Sequence, residues 1–140
     1  MTLQRAIEIA YTAHKDQKDR FENPYFLHVL NVMNRGKNEN ERIVGILHDV
    51  VEDTEWTFEE LQKEGLDNKL IAALRCVTKI DENENYEDFI SRVKTSALAI
   101  RVKINDLEDN MDIRRMPKVT EKDLPRMNKY LKAYKELIVL

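Results

Sequence analysis

Four ionisable side chains fall within six positions at His48-Asp49-Val50-Val51-Glu52-Asp53, inside a segment that is otherwise apolar. Burying a carboxylate beside an imidazole is costly unless a cation or a hydrogen-bonding partner compensates. Such a cluster makes a poor core and a good reactive site. The structural alternatives are an N-cap and a buried ion pair, and the apolar residues on both sides of His48-Asp49 speak against a cap. A second histidine, His28, lies in another helix-periodic apolar segment and can face His48. Imidazole and carboxylate together suit a divalent first-row cation such as Mn²⁺ or Fe²⁺. A further oxygen ligand is needed. Asp106, at the polar end of Val102-Lys103-Ile104-Asn105-Asp106, is the best candidate, although periodicity alone does not separate it from Glu108, Asp109 and Asp112. The competing reading of these acids is a solvated helix face.

The elements that must position these groups read as helices nearly throughout. Thr2 can cap a first helix carrying Leu3, Ala6, Ile7, Ala10 and Ala13 on one face, expected to end near Lys18–Arg20. Pro24 marks a bend, and a second helix is expected from Tyr25 to Arg35, with Gly36 after its end. The third, from Glu41 to Val51, is apolar on most sides and is expected to be the central one. Thr57-Phe58-Glu59-Glu60 reads as a capping box, with Gly65 as its helix stop and Asp67 as the next cap. Tyr86–Thr95 and Ala97–Asn110 follow. A last helix starting at Thr120 or Asp123 carries Leu124, Met127, Leu131, Tyr134 and Leu137, with Pro125 in its first turn. The expected fold is all-α, one domain over residues 1–140, with seven or eight helices.

Composition narrows the function classes. The 140 residues include 42% apolar and 35% charged side chains, with a net charge of −3, which fits a folded globular domain. The acidic balance lacks the positive field of a non-specific nucleic-acid binder. No apolar run approaches the ~18–20 residues that span a bilayer, and Met1-Thr2-Leu3-Gln4-Arg5 has no apolar signal segment. The single Cys76 excludes an internal disulfide and suits a cytoplasmic location. The scarcity of Gly and Pro, three of each, disfavours a β-rich fold.

Four ordered segments carry a family resemblance. His14-Lys15-Asp16-Gln17 with Pro24-Tyr25-Phe26-Leu27-His28, Leu47-His48-Asp49-Val50-Val51-Glu52-Asp53-Thr54, Val77-Thr78-Lys79, and Val102-Lys103-Ile104-Asn105-Asp106-Leu107 with Asn110-Met111 resemble the motifs of HD-domain phosphohydrolases of the RelA/SpoT type. The resemblance runs from about residue 5 to residue 134 and is closest to the small stand-alone alarmone hydrolases. It implies a single HD-domain helical bundle. It implies metal ligands His28, His48, Asp49 and Asp106, usually holding Mn²⁺, with another divalent first-row metal as the alternative. It implies that Glu52 and Asp53 handle the attacking water, and that Asn110, Arg126 and Tyr130 contact substrate, the last two as i, i+4 neighbours on one helix. His14 is implied in a supporting role.

The implied reaction is hydrolysis of guanosine-3′,5′-bis(diphosphate), ppGpp, to GDP and pyrophosphate. A different nucleotide, or a metal-containing nucleotide sensor without turnover, is the alternative. The implied partner is a small nucleotide, with no nucleic acid and no membrane. Where the family has a basic pair before Pro-Tyr, this chain has Asp19-Arg20, so Arg20, with Lys18 one residue earlier, is expected to meet phosphate while Asp19 is expected to repel it. After Asp106 the family's more basic and aromatic pattern is replaced by Leu107-Glu108-Asp109.

Overall fold

The computed structural model describes residues 1–140 and contains no strand, only one isolated bridge between Lys18 and Pro24. Nine α-helices run in order: α1 Leu3–His14, α2 Phe26–Arg35, α3 Glu39–Leu47, α4 Val50–Asp53, α5 Phe58–Lys63, α6 Asn68–Cys76, α7 Tyr86–Val93, α8 Ala97–Asn110 and α9 Leu124–Leu137. Single 3-10 turns at Ile113–Arg115 and Glu121–Asp123 join α8 to α9. The all-α expectation holds. No helix is long and apolar enough to cross a membrane.

Most starts obey the capping residues read from the chain. Thr2 and Asp67 each accept a backbone N–H from the first turn of their helix. Thr57 and Glu60 form both bonds of the capping box. Gly65, with φ of 99°, ends that short helix in the left-handed region. Thr120 caps the 3-10 turn that leads into α9, where Pro125 occupies the first turn.

Three expectations need correction. The first helix ends at His14, not near Lys18–Arg20, because the chain turns at once into a loop closed by the bridge between Lys18 and Pro24. The third helix does not run through to Val51. It stops at Leu47, and one further turn, α4, begins at Val50. The break falls at His48-Asp49, where the His48 ring bonds the Gly45 carbonyl at 2.7 Å and Asp49 adopts φ −104°, ψ −1°. The single turn of α4 apart, the remaining eight helices match the seven or eight expected. Finally, Leu124 and Leu131 of α9 are exposed, while Ala133 and Leu137 are buried. That helix turns Arg126, Met127 and Tyr130 to a pocket, which leaves less of its surface for the core.

The core sits around α3, which packs against α1, α2, α6 and α8. Ile43, Val44, Ile46 and Leu47 are buried, as expected of a central helix. α2 and α3 approach most closely at Gly45, where a Cβ would stand 3.4 Å from the Cα of Met33 and from Cγ1 of Val32. A methyl fits that gap and a longer side chain does not. Gly45→Ala is expected to change stability by less than ~1 kcal/mol, helix propensity offsetting the contact. Gly45→Leu is expected to cost roughly 1–3 kcal/mol or more by overpacking. Urea denaturation of the two variants checks the contrast, and equal losses would refute it.

Candidate metal centre and substrate pocket

Three elements converge on one buried point. α2 brings His28 in its first turn, the α3–α4 break brings His48 and Asp49, and α8 brings Asp106 in its last turns. Nitrogens of both histidines and a carboxylate oxygen of Asp49 lie within 4.8 Å of one another. Asp106 Oδ1 stands 3.0 Å from His28 Nε2 and 3.3 Å from His48 Nε2. Both histidines are 3% exposed and Asp106 is 4% exposed. The break in α3 is what aims His48 and Asp49 at the same point, since consecutive residues of a regular helix diverge by about 100°.

Each ligand candidate is held from behind. His48 Nδ1 donates to the Gly45 carbonyl, so the neutral ring keeps its lone pair on Nε2. That Nε2 is buried and has no hydrogen-bond partner, although Asp49 Oδ2 is 3.0 Å away. An orphaned imidazole nitrogen facing two carboxylates fits a divalent cation. His28 Nδ1 lies 2.7 Å from Asp109 Oδ2, which leaves its Nε2 for the same cation. Asp106 accepts from Lys103 Nζ at 2.7 Å and from Asn110 Nδ2 at 3.0 Å. Asp49 accepts from the Tyr25 hydroxyl at 2.6 Å.

The charges here sustain one another. Burial works against the charged forms of Asp49 and Asp106, but His48, and for Asp106 first Lys103, outweigh it and hold both carboxyls below the usual range. Burial likewise opposes protonation of His28 and His48, and the neighbouring carboxylates overcome it and raise both. Proton and metal compete for the same nitrogens, so the site binds a cation by exchanging protons for it.

The centre opens into a pocket of about 420 Å³. Lys18, Arg20, Glu52, Asn110, Arg126 and Tyr130 all line it, together with His28, His48, Asp49 and Asp106. Asp53 does not. It lines an adjoining pocket, which shares Glu52 and Lys79 with the first. Glu52 Oε1 accepts from the backbone N–H of Lys79 at 2.9 Å. Arg126 donates to Asp123 at 2.7 Å. His14 is fully buried outside the ligand cluster. Its Nδ1 meets Gln17 Oε1 at 2.7 Å, and Gln17 in turn donates to the carbonyl of Asp53.

Asp19 is put to structural use. Its Oδ1 accepts from the N–H groups of Phe21 and Asn23, closing a loop in which Glu22 takes a φ of 66°. Its Oδ2 lies 3.6 Å from Arg115. The expected repulsion of an anion is thereby reduced, because the carboxylate faces a guanidinium. Arg115 also donates to the backbone carbonyl of Asp109 and lies 3.0 Å from its carboxylate, which is 1% exposed and accepts from Asn31.

Sequence reasoning gave no supporting role to Asp109, weighed only as an alternative to Asp106, nor to Lys103, Tyr25 or Arg115. Lys103 was open to discovery, since it lies i, i+3 from Asp106. Asp109 was not, because its partner His28 is 81 residues away.

No protein-family model matches the chain. It is 33% identical over 78% of its length to a guanosine-3′,5′-bis(diphosphate) 3′-pyrophosphohydrolase of Aquifex aeolicus, of which it covers 17%. It is 31% identical over 78% of its length to a probable GTP pyrophosphokinase of Mycobacterium leprae, of which it covers 15%. The chain thus spans under a fifth of these curated relatives. A solved structure described as a metazoan ortholog of SpoT that hydrolyzes ppGpp and plays a role in starvation responses superposes with a TM-score of 0.79 at 26% identity. That match covers 96% of this chain and 84% of the other. In sequence and in fold the chain is thus similar to RelA/SpoT-type proteins.

Proposed function

We propose that this chain is a Mn²⁺-dependent phosphohydrolase that cleaves ppGpp to GDP and pyrophosphate. The observation that carries the reading is a buried His28, His48, Asp49 and Asp106 cluster opening into a cation-lined pocket. The Aquifex relative's name and the function given for the structural neighbour support the substrate. In the proposed reaction, water oxygen bonds to the phosphorus next to O3′, the O3′–P bond breaks, and a proton passes to O3′.

The bound cation supplies Lewis-acid polarisation of the phosphoryl group and the attacking water. The protein's own groups do the rest. Glu52, held by the Lys79 N–H at the pocket wall, orients the water and accepts its proton. Asp53, behind it, is the partner that shares this proton. Burial of its surroundings, then the charges of Asp49 and Glu52, push Asp53 up to about 7. Lys18, Arg20 and Arg126 neutralise phosphate charge, with Tyr130 beside Arg126 on α9. Asn110 keeps Asp106 in place by its bond to Oδ1 and faces the substrate.

Asp49→Ala and Asp106→Ala are expected to lose Mn²⁺ and pyrophosphate release together. Glu52→Gln is expected to keep the metal and slow turnover by about 10²–10⁴-fold. Metal analysis and a pyrophosphate assay on ppGpp measure both, and full turnover by metal-free Asp106→Ala would sink the scheme. Silence of the wild type on ppGpp, with turnover of another nucleotide, would remove the substrate assignment alone. Asp109→Asn is expected to weaken Mn²⁺ binding by ~10–100-fold, because the support behind His28 is lost. Isothermal titration of the metal checks this.

The raised Asp53 also predicts a pH effect on the metal-free fold. A carboxyl whose folded value lies above its unfolded value of 3.8 binds a proton on folding. Its cost is therefore absent below pH 3.8, grows between 3.8 and about 7, and is constant above. Asp53→Asn is expected to raise Tm at pH 8 and leave it unchanged near pH 4; the same shift at both values would contradict the assignment.

A further inference from the structure

Three cations of the pocket lack any carboxylate partner. Arg20 comes from the loop between α1 and α2, Lys79 from the turn after α6, and Lys129 from α9. The neighbouring pocket cations are engaged: Lys103 with Asp106, Arg126 with Asp123, Arg115 with Asp109. Lys129 is the focus of the free set. Its ammonium lies 4.6 Å from the ring centroid of Tyr86 and 5.5 Å from that of Tyr130. Burial, and then the charges of Lys79, Lys103, Arg126 and Arg20, hold its pKa below the ordinary value.

Tyr86, the first residue of α7, adds an independent observation. Its hydroxyl is buried, lines the pocket, and has no hydrogen-bond partner. The cations around it are all donors, so none of them accepts its proton. A buried hydroxyl without an acceptor costs free energy, as does a group of like charges held together. One type of ligand relieves both: an anion with several acceptor oxygens. Lys103 is not free to serve such a ligand, since its Nζ donates to Asp106.

We propose that Tyr86 and Lys129, flanked by Arg20 and Lys79, form a phosphate subsite apart from the metal centre, which holds the diphosphate of the substrate that is not cleaved. For the identity of the substrate this rests on the phosphohydrolase reading; the anion subsite itself does not. The hydroxyl donates to a phosphate oxygen, and the ammonium, steadied on the two tyrosine rings, pairs with the same group. Such a pocket selects nucleotides carrying phosphate at two positions, one group for the metal and one for Lys129.

Titration calorimetry of the Mn²⁺-loaded full chain tests this with GDP, which keeps only the uncleaved diphosphate, and with guanosine. The wild type is expected to bind GDP at least ~10-fold more tightly than guanosine, since charge-assisted bonds carry the difference. Lys129→Ala is expected to weaken GDP by roughly 10-fold or more and Tyr86→Phe by about 3–10-fold. Lys129→Arg is expected to restore most of the GDP affinity. Neither weakening variant should change guanosine binding or Mn²⁺ content, which separates loss of the subsite from loss of the fold. Unchanged GDP affinity in both variants, or no preference for GDP in the wild type, overturns the proposal. Lys129-dependent GDP binding without turnover of ppGpp or any other nucleotide would overturn the phosphohydrolase reading and leave the subsite standing. Turnover with Lys129-independent GDP binding would do the reverse.

Discussion

The structure is organised around a demand that cannot be left unmet: two imidazoles and two carboxylates occupy the centre of a helical core, three of them almost sealed from water. Uncompensated, each would cost several kcal/mol. Each therefore recruits a partner, and the partners spread across the molecule. His48 takes the Gly45 carbonyl, His28 takes Asp109, Asp106 takes Lys103 and Asn110, and Asp49 takes Tyr25. Three segments far apart in the chain are tied together by polar bonds as well as by packing. The stability of this core and the readiness of its centre to receive a cation are consequently one property.

Geometry at the α3–α4 break shows how backbone and chemistry are linked. An unbroken helix through Val51 would have turned His48 and Asp49 to different faces. The carbonyl of Gly45 serves the imidazole, and the same residue admits α2 to within van der Waals distance. One glycine thus sets both the spacing between two helices and the orientation of one metal-facing ring.

Much of this was legible in the chain. Thr57-Phe58-Glu59-Glu60, Asp67 and Thr2 act locally, through bonds to backbone groups a few residues away, and such signals survive folding unchanged. His48-Asp49 was conspicuous because ionisable groups stood in an apolar stretch. What escaped depended on long-range pairing. Asp109 looks like one of several acids on a solvated helix face until folding sets it against His28. Asp19 looks like an intruder in a phosphate pocket until its two oxygens are seen closing a loop and meeting Arg115. The break in α3 was hidden because the residues that cause it are compatible with a helix in isolation, and only the burial of His48 turns its ring toward Gly45. Leu124 and Leu131 misled because periodicity reports which face is apolar, not which face is covered.

Arg115 has a consequence for how such a protein can change. Its guanidinium is shared between Asp109, which steadies His28, and Asp19, which shapes the loop bearing Lys18 and Arg20. The pocket loop and the support behind His28 are therefore not independent modules open to separate revision. A substitution that remodels the loop alters the hold on a metal-facing histidine, and one that retunes the histidine disturbs the loop. Altered substrate preference in this lineage must travel with compensating changes at Arg115 or Asp109, so the three positions are expected to vary together.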